Sequence, residues 1–441
     1  MQALLSFENA PPLSVPARFF VLAPLYGVLA GLLILVEGQG LLVSRWSPAV
    51  LSLTHLLTVG VLLQVMVGAL FQFLPVAADA GLRHPRRVAG VVHPFLNIGA
   101  LCLSAGFYFS SVVLLQVAAG TLSLSLGVFL FFALQAVLRK PHTSPTIPAL
   151  KLALLGLVLT LGFGLYLLAV YALSAQGRAA VLTAQHAAWG LLGWSATLLI
   201  GVGYVVVPMF QLTPAYTRRL SRVLAPLIFS LVVAWSIVQF LGGTIGIALI
   251  GFALAVALGV FATVTLRLQA KSRRAEADST VLFWRLAMLC VLLASGLWSA
   301  LPLFEVLLPP VLQGLPELSF TLGVLSIFGV FVSVISGMLY KILPFLCWLH
   351  LQQVGMARGI YKTPHMGVFL AEKRMRLQFF WHKATLALLL MGIAFPSLFQ
   401  ISGLALGVSF SLLGANIWAG LVSLRREKAK LLGGTARAPG Q

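Results

Sequence analysis

Two histidines of this chain fall inside long apolar segments, where an imidazole ring could serve as a ligand. His55 occurs in LSLTHLLTVG and His186 in TAQHAAWGLLGW. A polar ring at membrane depth is costly unless it is paired, and neutral imidazole is a common ligand of haem iron and of copper. The alternative is a structural histidine that hydrogen-bonds to a neighbouring helix or lies at the membrane interface. We therefore predict cofactor binding by His55 and His186, and leave the structural role open.

The other six histidines have positions that favour structural roles. Three fall in basic loops, where a solvated or lipid-facing ring is expected; they are His84, His142 and His365. His93 and His350 fall at predicted helix ends and suit interfacial anchors. We predict a structural role for His382, at the start of the eleventh apolar segment.

The segments that position these residues are long enough to cross a membrane. Of the 441 residues, 60% are hydrophobic and 9% charged, and the mean hydropathy is +1.04. About 20 apolar residues span a bilayer as a helix, and the sequence contains twelve such stretches. The composition therefore predicts an all-α integral membrane protein with twelve transmembrane helices. The predicted spans are 18–37, 49–75, 91–110, 113–138, 149–174, 181–209, 223–241, 244–266, 282–304, 318–348, 378–397 and 401–423.

The basic residues follow a topological pattern. The chain carries a formal charge of +20, and its bases concentrate in the loops after even-numbered helices and in the tail 425–441, which includes Arg437. By the positive-inside rule this predicts that these loops, both termini and the basic tail are cytoplasmic. The charge therefore indicates contact with anionic membrane lipid, and no nucleic-acid partner is expected. No cleavable signal peptide is predicted, and the three cysteines offer no disulfide framework.

One motif occurs three times along the chain. The second, sixth and tenth predicted helices contain GVLLQVMVGALFQFLP, GWSATLLIGVGYVVVP and GVFVSVISGMLYKILP, which share the pattern Gly-x7-Gly-x2-[Phe/Tyr]-x3-Pro. The copies are 133 and 136 residues apart. This predicts three four-helix modules around a pseudo-threefold axis, at approximately 1–145, 146–275 and 276–441. The motif residues are Gly60, Gly68, Phe71 and Pro75; Gly193, Gly201, Tyr204 and Pro208; and Gly329, Gly337, Tyr340 and Pro344.

Each motif position has a predicted physical role. Glycines eight residues apart lie near one face of a helix, and they permit close approach of a neighbouring backbone or a flat ligand. The proline is expected to end or kink its helix near the interface. The aromatic residue one turn earlier suits the interfacial belt of membrane proteins.

These features resemble the catalytic subunit I of the haem-copper oxidase superfamily. Helix two resembles the family helix that carries a haem-ligating histidine, which places that role on His55. Helix six resembles the family helix whose histidine binds copper, which places that role on His186. The entry HPFLNIGA, through Pro94, Leu96 and Asn97, and the ending GMLYKILP are also similar to the family. The resemblance implies twelve helices in three arcs, with b-type haem and copper as cofactors.

The chain departs from this family at most of the metal ligands. The family carries two haem-binding histidines on helix ten, and the matching positions are Leu322 and Val324. Segment 223–241, which would complete the copper site, contains no histidine. Only two of six ligands are present, so oxygen reduction by the family mechanism is not expected.

A second group with a similar overall plan is the haem- and copper-containing membrane proteins of the NnrS type. The segment ARFFVLAPLYGVLAGL, from Ala17 to Leu32, and the pair His55 and Gly60 match it, whereas a further histidine and an acidic residue of its signature are missing. The two resemblances imply a bacterial inner-membrane protein that is not expected to be an active terminal oxidase. They imply an accessory role in respiratory or nitric-oxide-related physiology, with a cytochrome partner. A secondary transporter and a ligand-free structural subunit are the alternatives.

Overall fold

The computed structural model describes residues 10–141, 144–172, 179–307, 316–360 and 363–433. Within these ranges the chain contains helices and no strand, and twelve helices are long and apolar enough to span a membrane. The protein is a twelve-span membrane protein, as the sequence predicts. The helices are α1 Ser14–Leu42, α2 Pro48–Ala77, α3 Pro85–Tyr108, α4 Val112–Leu138, α5 Thr146–Tyr171, α6 Val181–Gln211, α7 Arg218–Leu241, α8 Thr244–Ala270, α9 Ser279–Ala300, α10 Leu318–Met356, α11 Glu372–Ala394 and α12 Pro396–Leu432.

Most helix ends lie a few residues from their predicted positions, and three of these differences bear on other predictions. Helix α3 begins at Pro85, so His93 lies inside it instead of opening it. Helix α10 continues beyond Pro344 to Met356, because a proline within a membrane helix need not end it. The first part of the predicted tail 425–441 is helical, since α12 extends to Leu432. Residues 434–441 and His142 lie outside the described part of the chain.

The helices contact one another in a pattern that recurs three times. Each of α1, α5 and α9 packs on the helix that follows it, and the pairs α3–α4, α7–α8 and α11–α12 also pack together. Successive groups of four join through α4–α5 and α8–α9, and α12 packs extensively on α1. The described helices therefore form a closed ring of three four-helix arcs. The exact module boundaries stay a prediction.

The second helix of each arc contains a π-helical stretch. The stretches are Leu56–Leu63 in α2, Trp189–Ala196 in α6 and Val324–Val332 in α10. Each includes the first glycine of the repeated motif, and each ends three residues after it. A π-helical turn forms its hydrogen bonds between residues five apart instead of four, is rare, and occurs frequently at functional sites. The repeat is thus visible in backbone geometry as well as in sequence.

The second motif glycine gives close contact with the first helix of the same arc. A Cβ added to Gly68 would lie 2.6 Å from Cβ of Phe19. One added to Gly201 would lie 2.5 Å from Cβ of Ala149, and one added to Gly337 would lie 2.7 Å from Cβ of Phe283. These glycines therefore serve helix packing.

The first motif glycine meets the same helix seven residues further on. A Cβ on Gly60 would meet the ring of Tyr26, and one on Gly329 would lie 2.8 Å from Sγ of Cys290. In the middle arc Gly156 occupies the corresponding place, and it lies against the carbonyl group of Gly193. The space beside the first and the second motif glycine is filled by neighbouring protein atoms. These glycines therefore do not provide clearance for a flat ligand.

The motif aromatics pack inward, in contrast to the predicted interfacial belt. Phe71 and Tyr340 are buried, and the ring of Phe71 packs on Phe19 and Phe129. Tyr204 is half-buried and packs edge-on against Tyr216. The aromatic position therefore belongs to the core of each arc.

Candidate functional site

His55 of α2 and His186 of α6 lie side by side. Their ring centroids are 6.2 Å apart and their ring planes are inclined by 23°. They come from two different arcs and are separated by 131 residues in the chain. Both rings are half-buried, and each lies within the first two turns of its membrane span, at the end opposite the basic loops. The structure thus brings together the two residues that the sequence selects as ligands.

Hydrogen bonding fixes the same tautomer on both rings. Nδ1 of His55 donates to the carbonyl oxygen of Leu51 at 2.7 Å, and Nδ1 of His186 donates to that of Thr160 at 3.0 Å. A carbonyl oxygen can only accept, so Nδ1 carries the proton on each ring. In a neutral imidazole this leaves a lone pair on Nε2. Metal-binding histidines commonly hold their other ring nitrogen to a backbone carbonyl in this way.

The neighbours of the two rings restrict their orientation. Phe107 of α3 lies 5.1 Å from the ring of His55, centroid to centroid, and Tyr171 of α5 packs edge-on against Phe107. Gly164 of α5 faces His186, where a Cβ would lie 3.0 Å from Cε1 of the ring. The pair is therefore enclosed by α3 and α5 as well as by its own helices.

The separation of the rings is near the upper limit for two ligands of one metal ion. Bonds from a metal ion to an imidazole nitrogen are about 2.0–2.1 Å long, and that nitrogen lies about 1.1 Å from the ring centroid, so the centroids of two rings on one ion are at most about 6.4 Å apart. The observed separation of 6.2 Å is just inside this limit. No group of three or more His, Cys, Asp or Glu side chains suited to a metal occurs in the described part of the chain. The donor set is thus two imidazoles, which suits copper or an axially ligated haem iron.

Two other histidines, His382 and His93, make local contacts away from this pair. His382 is buried, its Nε2 lies 2.7 Å from the hydroxyl oxygen of Ser333, and its ring stacks on Phe328 with centroids 4.3 Å apart. His93 makes a 3.0 Å hydrogen bond through Nε2 to the carbonyl oxygen of Arg18. That bond ties α3 to α1. Both contacts hold neighbouring helices together, and the interfacial role of His93 stays a prediction.

Sequence reasoning missed a polar position inside the repeated motif. Four residues after the first motif glycine stand Gln64, Thr197 and Ser333, and all three are buried. The hydroxyl groups of Thr197 and Ser333 donate to carbonyl oxygens five residues earlier, which the π-helical turn makes available. The spacing Gly-x3-polar-x3-Gly is present in all three copies and could have revealed this position.

Gln64 connects to a network that joins three helices of the first arc. Its Nε2 donates to Oδ1 of Asn97 at 3.1 Å, and the hydroxyl group of Tyr26 donates to the same oxygen at 2.8 Å. The amide nitrogen of Asn97 donates to the carbonyl oxygen of His93. Asn97, one of the residues on which the family resemblance rests, thus stabilises α3 against α1 and α2.

Comparison with known proteins does not assign a family. No family model matches this chain, and no curated protein matches it significantly.

Proposed function

We propose that the chain is a haem-copper oxidase subunit I-like protein of the bacterial inner membrane that binds copper or a b-type haem iron through His55 and His186. The supporting observation is the pairing of these rings across two arcs, with both Nδ1 atoms engaged by backbone carbonyls. A cation held by both Nε2 atoms would tie α2 to α6. A protein with only these two metal-binding histidines would have an accessory role in respiration or in the response to nitric oxide. Its partner would be a cytochrome.

The residues around the two histidines would hold their rings in the tautomer and orientation that a metal requires. The carbonyl groups of Leu51 and Thr160 hold the proton on Nδ1, so binding through Nε2 requires no change of tautomer. Phe107 limits rotation of the His55 ring. Copper or haem iron in this position would supply one-electron redox chemistry. Oxygen reduction is not part of the proposal, because Leu322 and Val324 stand where the family carries further ligands.

Absorption spectra and metal analysis of the purified protein test this proposal. After expression with ample haem and copper, we expect either a Soret band or about one copper ion per chain. His55→Ala and His186→Ala should each remove the copper or shift the Soret band, because each variant removes one of the two proposed ligands. His350→Ala is the matched control and should leave the signal intact, since His350 is a half-buried histidine of another helix. Absence of both signals, or signals unchanged in the two pair variants, would reject the proposal.

Gly164→Leu separates a role of the pair from a role of either histidine alone. Its side chain would occupy the space against the His186 ring, where even a Cβ lies at 3.0 Å. We expect metal content to fall while both imidazoles remain in the chain. Gly162→Leu is the control two residues away, because a Cβ there would meet nothing within 4 Å.

The proposed orientation places both termini and the basic loops in the cytoplasm. Reporter fusions check it: a periplasm-dependent alkaline phosphatase should be inactive after residue 433 and active after Ser44, in the loop between α1 and α2. The reverse activities would contradict this orientation.

The transporter alternative predicts a twofold repeat of six helices, whereas the helix contacts recur three times.

A further inference from the structure

A cavity of about 150 Å³ lies between the second helices of the three arcs. Each helix lines it from the same six motif positions, which are three and two residues before the second motif glycine and one, five, eight and nine residues after it. All eighteen side chains at these positions are apolar. The cavity, which we call the axial cavity, therefore follows the threefold repeat. Its first layer is Val65, Leu198 and Val334, and its last layer is Ala77, Phe210 and Leu346.

The wall that a ligand would meet is apolar. Five further residues border the axial cavity, and none of them is charged. Gln72 and Trp284 are among these five, but the amide atoms of Gln72 and the indole nitrogen of Trp284 are enclosed by protein atoms. An ionised or strongly polar group inside the cavity would lose its hydration without compensation. Only the hydrocarbon part of a molecule suits this interior.

The axial cavity is closed at one end and open at the other. Val65, Leu198 and Val334 are buried, and just beyond them the π-helical stretches of α2 and α10 contact each other. At the opposite end Ala77 and Phe210 are partly exposed, and they lie at the ends of α2 and α6. A molecule would therefore enter from the face of the basic loops.

The cavity is long and narrow. Its layers extend over twelve residues of α2, which is about 18 Å at 1.5 Å per residue. A cavity of about 150 Å³ holds one benzene molecule, which has about six carbon atoms. So small a volume over this length suits one unbranched hydrocarbon chain better than a ring or two chains side by side.

The loops that continue from the open end carry an excess of positive charge. Residues 78–84 and 212–222 contain four arginines and one acidic residue. That acidic residue, Asp79, is paired with Lys140 at 2.7 Å. A positive potential at the opening of a cleft attracts anions.

Two further cations lie close to the open end. Arg274 donates a hydrogen bond to the carbonyl oxygen of Phe210 at 2.9 Å. Arg274 and Lys341 share a single carboxylate, that of Asp278, at 3.1 and 2.6 Å. This cluster therefore keeps a net positive charge beside the last layer of the cavity.

We propose that the axial cavity binds the hydrocarbon chain of a medium-chain fatty acid. About six carbon atoms of the chain would lie inside. The carboxylate would stay hydrated at the basic loops, which avoids the cost of burying a charge. His55 precedes Val65 by ten residues, or about 15 Å along α2, so the proposal does not depend on the histidine pair.

Site-resolved photolabelling tests this proposal. The probe is decanoate with an alkyl diazirine at carbon 9, added to the full chain in phosphatidylcholine nanodiscs, and mass spectrometry locates the label. We expect saturable labelling in the middle layers, within residues 69–73, 202–206 or 338–342. Excess unlabelled decanoate should abolish it.

A competitor of equal chain length tests the charge of the head group. At equal amounts in the bilayer, decyltrimethylammonium should need at least about a threefold higher concentration than decanoate, because the exposed cations attract a carboxylate and repel an ammonium group. High salt should reduce this difference, since surface charges are then screened.

Two variants provide the blank and a third provides the control. Val202→Phe and Ala69→Leu each fill part of the cavity, and either one that remains monodisperse should abolish saturable labelling of the middle layers. Val117→Phe makes the first of these exchanges at an exposed position of α4 and should leave the labelling unchanged.

Three results would overturn the proposal. The first is labelling that is absent from the middle layers or does not saturate. The second is equal competition by decanoate and decyltrimethylammonium. The third is labelling of the same residues by a phosphatidylcholine that carries the diazirine on one chain and is not displaced by decanoate, which would assign the cavity to membrane lipid. Metal content is not a readout, so the outcome is distinct from that for the histidine pair.

Discussion

At the scale of single residues, His382 shows how a buried imidazole can hold helices together through polar and aromatic contacts. Its Nε2 lies 2.7 Å from Oγ of Ser333, which is in α10 directly after the π-helical stretch. Phe328 and Phe283 pack on its ring. The residue thus connects α11 to α10 and α9 through one polar bond and two aromatic contacts.

We expect His382→Ala to destabilise the protein by about 2–4 kcal/mol, because it leaves a cavity and a buried hydroxyl group with one partner fewer. Thermal unfolding in detergent, followed by loss of the monodisperse peak, measures the effect. His350→Ala should cost less than about 1 kcal/mol, since that ring is half-buried. Loss of metal in His382→Ala at full stability would contradict a structural role.

Residue chemistry was predictable from the sequence only in part. The membrane depth of His55 and His186 selects them, because depth follows from position in an apolar run. The acceptor for His186 was not predictable, because Thr160 belongs to another helix and pairing of helices is a tertiary property. The contact between Gly164 and His186 was not predictable for the same reason.

At the scale of helices, the motif glycines act by removing bulk between the first and second helix of each arc. Gly201 and Ala149 show this most simply, because Ala149 supplies all three of the nearest atoms that a Cβ on Gly201 would meet. Thr146, one turn before Ala149, also donates to the carbonyl oxygen of Gly201 at 3.0 Å. Close backbone approach and the hydrogen bond depend on each other.

We expect Gly201→Ala to destabilise the protein by about 1–3 kcal/mol through overpacking. Exchanging the two residues, as Gly201→Ala with Ala149→Gly, should restore stability to within about 1 kcal/mol, because the total bulk is unchanged. Thermal unfolding of the three proteins measures the coupling. Gly120→Ala is the control, as a Cβ there meets nothing within 4 Å. Equal destabilisation of the single and double variants would argue against this contact.

The sequence predicted the helices well and their internal geometry poorly. Hydropathy locates all twelve spans, since each must bury its backbone in lipid. The π-helical stretches were not anticipated, because no single residue type specifies them. In the sequence these stretches are accompanied by a polar residue at one motif position, which is Gln64, Thr197 or Ser333. The motif aromatics were predicted to lie in the interfacial belt because their position near a helix end indicates depth in the membrane. That position does not indicate whether the side chain faces the lipid or the protein core.

At the scale of the whole molecule, threefold repetition means that the environment of the histidine pair has counterparts. His55 stands five residues before Gly60, and His186 stands seven residues before Gly193. The corresponding positions between the third and first arcs are Val324, five before Gly329, and Leu53, seven before Gly60. The π-helical stretches of α2 and α10 contact each other directly.

We therefore expect the double variant Leu53→His with Val324→His to create a second two-imidazole site, provided that the proposed metal site exists. Bound metal should rise from about one to about two per chain, and each single variant should stay at one. Metal analysis after gel filtration measures the ratio. A double variant that folds and remains at one metal would mean that the arcs differ in geometry at this depth.

The three π-helical stretches also record the history of the chain. Each surplus turn ends at the same motif position, three residues after the first glycine. A π-helical turn spans one residue more per hydrogen bond than an α-helical turn, which is the geometry that insertion of one residue into an α-helix would produce. Three independent insertions at one register are a less economical explanation than one insertion in an ancestral four-helix unit that was afterwards copied twice. On that account the surplus residue is older than the threefold ring, whereas the histidines, which differ among the arcs, reflect later divergence of the copies.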